Sequence, residues 1–263
     1  MDPRYDKLRA CFDGLEAAAV AFSGGTDSTL LLAALRDVLG PGRTLALTAV
    51  TPYMVRQEIG DAIGLCDQFG VRHDLVEIPM PEGIDGNPPD RCYRCKRAMY
   101  RRLTDAAAEH GYRVLFDGSN MDDARDYRPG LRALRELGIR CPLLEAGIDK
   151  AAVRDIAREL GLPTWQKPTN ACLLTRIGFN THVSMERLQQ IEEAERFLAA
   201  RGFRQVRVRC HADLARIEVA ADQRPLLLAQ AEAVIPAMHR FGFRYVSMDL
   251  AGYQFGSMTD RTP

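Results

Sequence analysis

The sequence predicts an α/β fold: a doubly wound parallel sheet followed by a small C-terminal α+β domain. Short aliphatic runs alternate with helical periodicity through the N-terminal two-thirds, a pattern that in a compact chain means parallel strands with helices on both faces. The 263 residues are 46% hydrophobic, enough to bury one large core and a smaller one. Beyond residue 180 the order changes to helix, hairpin, helix and strand.

The elements follow in order. Ala19–Phe22 is an apolar strand that enters a Gly-rich turn, and Thr29–Leu39 has helical periodicity. Leu45–Val50 reads as a second buried strand, Val55–Phe69 as a helix stopped by Gly70, and His73–Ile78 as a third strand. Pro79–Pro89 holds four Pro and two Gly and is a loop. Lys96–His110 is helical and ends at Gly111, Val114–Phe116 is a fourth strand, and Lys150–Leu160 is a helix stopped by Gly161. Pro163–Asn180 is polar with little periodicity.

Ser184 is placed to cap a helix running to Arg201, with Gly202 just beyond. Gln205–Arg209 and Ala215–Val219 form a predicted hairpin, Asp222–Phe241 a helix, and Tyr245–Leu250 a strand. The fragments RGFRQVRV and FGFRYVSM echo each other, each a helix end, Gly-Phe, Arg and strand. The domain boundary is expected near 175–183, giving domains 1–178 and 179–263.

Lys+Arg and Asp+Glu both total 35. A protein living on nucleic acid usually shows a basic excess, so no nucleic-acid partner is expected. No apolar run approaches the roughly 18–20 residues of a membrane span, and MDPRYDKLRA lacks a signal-peptide core. The expectation is a cytoplasmic protein, with no membrane partner, whose seven Cys are reduced thiols.

Ser23-Gly24-Gly25-Thr26-Asp27-Ser28 joins a strand to a helix. Glycines let the backbone approach an anion, and the helix N-terminus offers free N–H groups and a positive dipole end. Neither the Walker ending nor the dinucleotide fingerprint is present. The bland reading is a Gly-rich turn with a Ser cap. Cys92 and Cys95 form a C-x-x-C, which alone fits redox, zinc-binding or spectator roles. A third Cys, Cys172, lies in WQKPTNACLLTR, flanked by Lys167 and Arg176. Cys11, Cys66, Cys141 and Cys210 each sit singly and read as packed thiols.

SGGTDS resembles the PP-loop of the adenylating ATP pyrophosphatase superfamily, which has a Rossmann-like sheet and splits ATP between the α and β phosphates. The ordered set NPPDRCYRCK, DGSNMDD, DYRPG and WQKPTNACLLTRI, with RVRCHADLARIEV and DLAGYQFGSM later, resembles the LarE family of ATP-dependent sulfur transferases. The resemblance runs from about Phe22 to Met258.

It implies adenylation of a carboxylate of a pyridinium biscarboxylic acid mononucleotide and conversion to a thiocarboxylate. Ser23 to Ser28 would hold pyrophosphate, with Asp27 helping to place Mg2+. Two sulfur sources occur in such enzymes, a sacrificed Cys or a [4Fe-4S] cluster on three Cys. Cys92, Cys95 and Cys172 favour the cluster, since three thiolates leave one iron open.

After the fourth strand, Gly118, Asn120, Asp122 and Asp123 are candidates for the ATP·Mg2+ site, although either Asp could instead cap a helix. Asp126-Tyr127-Arg128 adds an Arg nearby. Lys167 or Arg176 could stabilise the adenylate, and Arg176 could equally grip a substrate carboxylate. Trp165 could stack or pack. Arg207 and Arg209 alternate with Val206 and Val208 and share a strand face, suited to the substrate phosphate or simply solvated. Glu195 could orient an Arg or lie on a charged outer face, and His211 reads as structural. A sulfide donor and a homo-oligomer are expected partners. The rivals are a tRNA thiolase and a non-catalytic nucleotide or iron–sulfur module.

Overall fold

The computed structural model describes residues 2–125, 129–254 and 257–258, and for Arg125 the backbone alone. Asp126, Tyr127 and Arg128 of the DYRPG motif lie outside the described residues. The chain divides into two compact units. The first comprises Met1–Pro81 and Asp90–Asn170, the second Glu82–Pro89 and Ala171–Pro263. The second unit thus begins at Ala171 and also takes in part of the Pro-rich loop.

In the first unit, α1 (Pro3–Ala10) is capped by the Asp2 carboxylate. It was not anticipated, although Asp-Pro followed by a polar run is a helix start. Then come β1 (Ala18–Ala21), α2 (Thr26–Leu39), β2 (Thr44–Val50), α3 (Arg56–Phe69), β3 (Arg72–Glu77), α4 (Arg91–Glu109) and β4 (Leu115–Phe116). Four short helices close the unit: α5 (Met121–Arg125), α6 (Pro129–Glu136), α7 (Pro142–Glu145) and α8 (Lys150–Glu159).

The strands are all parallel in the order β3-β2-β1-β4. Their side chains alternate between two cores, as period two requires. Val20 points into a core built from α1, α2, α3 and α8, while Ala19 and Leu115 point into another built from α4 and α6. This is the doubly wound arrangement expected. The strand order reverses between β1 and β4, so the ends of these two strands frame the place where such sheets bind ligands.

The second unit contains α9 (Met185–Ala200), β5 (Val206–His211), β6 (Leu214–Val219), α10 (Arg224–Ala229), α11 (Ala231–Arg240) and β7 (Tyr245–Met248). Ser184 caps α9 as predicted, accepting from Arg187 N at 3.2 Å. The sheet order is β5-β6-β7, with the hairpin antiparallel and β6-β7 parallel. The echoed fragments occupy equivalent places: Gly202 and Gly242 have φ of 92° and 97°, and Phe203 and Phe243 are buried as the chain turns into β5 and β7.

The single helix expected over 222–241 is broken into a 3-10 turn, α10 and α11. Pro236 still falls inside α11, where it has no N–H to give the helical ladder. The last strand stops at Met248 rather than Leu250.

Candidate functional site

The turn after β1 is held in shape by its own hydroxyls. Ser28 Oγ accepts from Ser23 N at 3.3 Å, and the two hydroxyls lie 3.1 Å apart. Gly24 adopts φ 66° and a Cβ there would press on the backbone of Ala62 in α3 at 3.2 Å, so glycine is required twice over. Thr26 Oγ1 donates to Thr164 O at 2.8 Å, so it braces the turn. Gly25 and Ser23 are the outward part of the loop, with Ser23 exposed.

Asp27, in the first turn of α2, accepts from Asn120 Nδ2 at 2.8 Å and forms an ion pair with Lys150 Nζ. Sequence reasoning read Lys150 only as a helix start. A residue 123 positions downstream leaves no local signal that it will pair with Asp27.

The segment after β4 closes the other side. A Cβ on Gly118 would meet Ser28 N at 3.2 Å, so this glycine lets the two loops touch. Asp117 is buried, yet its carboxyl is held below its ordinary range. Burial pushes the pKa up but is outweighed by Lys96 at 3.2 Å and by hydrogen bonds from Ser119 and Tyr100. Asp122 accepts from Lys150 N at 2.9 Å and Asp123 from Asn120 N at 3.0 Å. These two carboxylates fasten loop and helix ends around Asp27, the capping role weighed beside Mg2+ binding.

Lys167 reaches the same turn, donating to Gly24 O at 3.1 Å and to Asp61 Oδ2 at 2.8 Å. Burial raises the Asp61 pKa, but the Lys167 and Gln57 hydrogen bonds outweigh it and leave it lowered. Asp61 and Lys167 wall a shallow cleft of about 470 Å³ with Leu65 and Thr164. Trp165 packs against the core.

Cys92 is exposed and Cys95 half-buried on the first turns of α4, with Tyr53 Oη 3.0 Å from Cys95 Sγ. Spacing i, i+3 places both on one helix face. The solitary thiols differ: Cys66 and Cys141 are pushed up to about 12, chiefly by burial, and Cys11 and Cys210 are also raised by burial. Among the described residues no three His, Cys, Asp or Glu side chains already converge as a metal site.

In the second unit, Cys172 is half-buried and precedes a 3-10 turn, Leu173–Arg176. Arg176 is fully buried and bonds both oxygens of Glu195, at 2.9 and 3.0 Å. Its remaining nitrogen donates to Ala171 O at 2.6 Å and Cys172 O at 3.1 Å. Glu195 therefore orients an Arg, one of the two readings weighed for it, and also accepts from Val208 N at 2.9 Å.

Arg207 and Arg209 do not form a solvated hairpin face, because both sides of β5 are covered. Arg209 pairs with the buried Glu218 at 2.8 Å and donates to Thr175 O at 2.9 Å. Arg207 lies over the Tyr253 ring, 5.3 Å from its centroid. Its pKa is lowered by burial and then by Arg176. His211, at the exposed end of β5, also titrates lower, by burial first and the neighbouring arginines after.

No family model matches the chain. It is 37% identical over 255 residues to the pyridinium-3,5-bisthiocarboxylic acid mononucleotide synthase of Lactiplantibacillus plantarum, covering 96% of this chain and 92% of that protein. The chain belongs to the LarE family. An uncharacterized protein of Synechocystis is 40% identical over 98% of this chain and 97% of its own. A tRNA-specific 2-thiouridylase of Synechococcus is 28% identical over 66% of this chain and 54% of its own. This chain is thus an ATP-using LarE-family enzyme of the PP-loop superfamily.

The thiols of this LarE-family chain fall into two classes. Two thiols share a helix face and a third is half-buried on a separate turn, whereas the other four are buried or raised in pKa.

Proposed function

We propose that this chain uses ATP to adenylate a carboxylate of pyridinium-3,5-biscarboxylic acid mononucleotide and exchanges oxygen for sulfur, leaving a thiocarboxylate and AMP. The observation that carries the reading is the match to the Lactiplantibacillus synthase over 96% of this chain. A match of that extent runs through both units, not through the nucleotide loop alone. The relationship to the thiouridylase stops at 66% of the chain, and the chain lacks the basic excess that RNA-binding proteins usually show.

The residues take roles their surroundings support. The Ser23–Ser28 turn cradles the pyrophosphate with backbone N–H groups at the start of α2. Asp27 helps place Mg2+, and the ammonium of Lys150, its partner in the free protein, is then available to the phosphates. Gly118 and Asn120 keep the second loop against the first, while Asp122 and Asp123 hold its shape. Lys167, anchored by Asp61, lies close enough to the turn to balance charge on the adenylate.

The C-terminal unit is the substrate unit. Arg207 supplies positive charge for the substrate phosphate, whereas the charge of Arg209 is already balanced by Glu218. An incoming anion would relieve the cost of burying Arg207 beside Arg176. Arg176, through Glu195, holds the Cys172 turn rather than gripping a substrate carboxylate itself.

Cys92, Cys95 and Cys172 would hold a [4Fe-4S] cluster, which when bound supplies sulfide from a cellular donor to the activated carboxyl. Self-association fits the exposed apolar residues Leu226, Leu228 and Ile235 on α10 and α11.

The adenylation half is tested with Asp27→Ala. ATP-to-AMP turnover in the presence of the pyridinium mononucleotide should fall by at least about a hundredfold, the scale for loss of a charge-stabilising group. The fold should survive, because Asp27 contributes no core volume. AMP release at the wild-type rate would show that the loop has been misassigned.

A further inference from the structure

The Asn-Pro-Pro-Asp sequence ahead of the cysteine pair has no part in the nucleotide site, and its first three residues belong to the C-terminal unit. Asn87 is fully buried, and its φ of 51° puts a non-glycine residue in the left-handed region. The residue that follows is Pro88, and residues before proline are pushed towards extended conformations. A backbone outlier of this kind persists where its surroundings over-determine it. Here Asn87 N donates to Ile84 O at 2.9 Å and Asn87 O accepts from Asn180 N at 3.0 Å.

The side-chain amide nitrogen donates to Ile177 O and Gly178 O, each at 2.9 Å, and leans on Leu174 O at 3.3 Å. Three carbonyls converge on one NH2, so the amide cannot be turned over without setting oxygen against oxygen.

The segment it holds is the one leaving Cys172. That segment has only a 3-10 turn of its own, yet buried side chains take up its carbonyls in succession. Arg176 takes those of Ala171 and Cys172, Arg209 that of Thr175, and Asn87 those of Leu174, Ile177 and Gly178.

We infer that Asn87 is a positioning residue for Cys172: with Arg176 and Arg209 it fixes the backbone that carries the thiol, so that sulfur is presented in one geometry. The inference rests on the reading of Cys172 as a sulfur-handling residue. It assigns the proline-rich loop the task of immobilising the third cysteine, a few residues before the chain reaches the other two.

Asn87→Asp keeps the size and the tolerance of a left-handed backbone but sets a carboxylate oxygen against the three carbonyls. On the full chain freed of iron by chelation, iodoacetamide labelling of Cys172 relative to Cys92 is followed by peptide mass spectrometry. Hydrogen exchange is followed over residues 172–180, and sulfur transfer is measured beside AMP formation. Cys172 should label at least about tenfold faster and its neighbours should lose exchange protection. Cys92 labelling and KM for ATP should stay within about twofold, while kcat for sulfur transfer falls at least about tenfold, as expected when a reacting group is misplaced.

Asn87→Gly removes all three donations and keeps the backbone freedom, and it should behave alike. Unchanged labelling and exchange in either folded variant overturns the inference, as does a loosened segment with full sulfur transfer. Global unfolding of both variants also overturns it, in favour of a plain folding role. If the wild-type protein transfers no sulfur, the functional reading fails, while labelling and exchange still decide whether Asn87 fixes the Cys172 segment.

Discussion

Glu218 is a carboxylate with no exposed side-chain surface. Arg209 bonds one oxygen at 2.8 and 3.0 Å, and Arg216 and Ser257 bond the other at 3.2 and 2.6 Å. A buried ion pair is weak evidence for stability, but removing one partner strands the other. Glu218→Gln should therefore cost about 3 kcal/mol in urea unfolding, at the low end for breaking a buried pair because the amide keeps some acceptors. A loss below about 0.5 kcal/mol, the level of an exposed pair, would contradict the burial described. His73 offers a pH test at the same scale. Its ring lies 2.7 Å from Thr48 Oγ1 and edge-on to Phe22, and burial lowers its pKa from 6.5. The folded state then binds fewer protons than the unfolded state below pH 6.5. Stability from this residue is complete above that pH and declines as the pH falls towards the folded pKa. Urea midpoints should drop between pH 7.5 and 5.5, and less so in His73→Gln. An equal drop in both proteins would assign the effect to other groups.

At the scale of elements, α4 carries Cys92 and Cys95 and ties them to the sheet. Lys96, next to Cys95, crosses Gly130 of α6, where a Cβ would meet its stem at 2.9 Å, to reach Asp117 at the end of β4. Cys92→Ala should remove iron from anaerobically prepared protein and stop sulfur transfer while AMP formation continues. Retained activity in this variant, with conversion of Cys172 to dehydroalanine in the wild type, would replace the cluster by a sacrificial cysteine. The sequence located α4 but began it at Lys96. The true start at Arg91 follows the Pro-Pro of residues 88–89, a position suited to a helix N-terminus. Val55–Phe69 was legible from its periodicity and Gly70 stop, and the Ser184-capped helix because periodicity, cap and Gly stop agree. The break between α10 and α11 was not, because apolar residues continue across it and neither glycine nor proline marks it.

At the scale of the molecule, the parallel sheet was legible because β1, β2 and β4 are short apolar runs, and the C-terminal hairpin because apolar residues alternate with charged ones. The nucleotide turn was legible as a local motif and Cys92 and Cys95 as a C-x-x-C pair, whereas only the family resemblance set Cys172 beside them. What the chain conceals is long-range polar pairing. Asp27 with Lys150, Arg176 with Glu195 and Asn87 with the turn after Cys172 each join residues whose partnership has no periodic signature. Burial on both sides of β5 likewise makes Arg207 and Arg209 buried charges rather than a solvated pair. The central claim, ATP-driven sulfur insertion, is tested most directly on protein purified without oxygen. The pyridinium biscarboxylic acid mononucleotide, ATP, Mg2+ and sulfide are added, and the small-molecule fraction is analysed by mass spectrometry. A product in which sulfur has replaced one carboxylate oxygen, formed together with AMP and absent without ATP, is the predicted result. AMP formed with the substrate recovered unchanged, or no AMP at all, would contradict it.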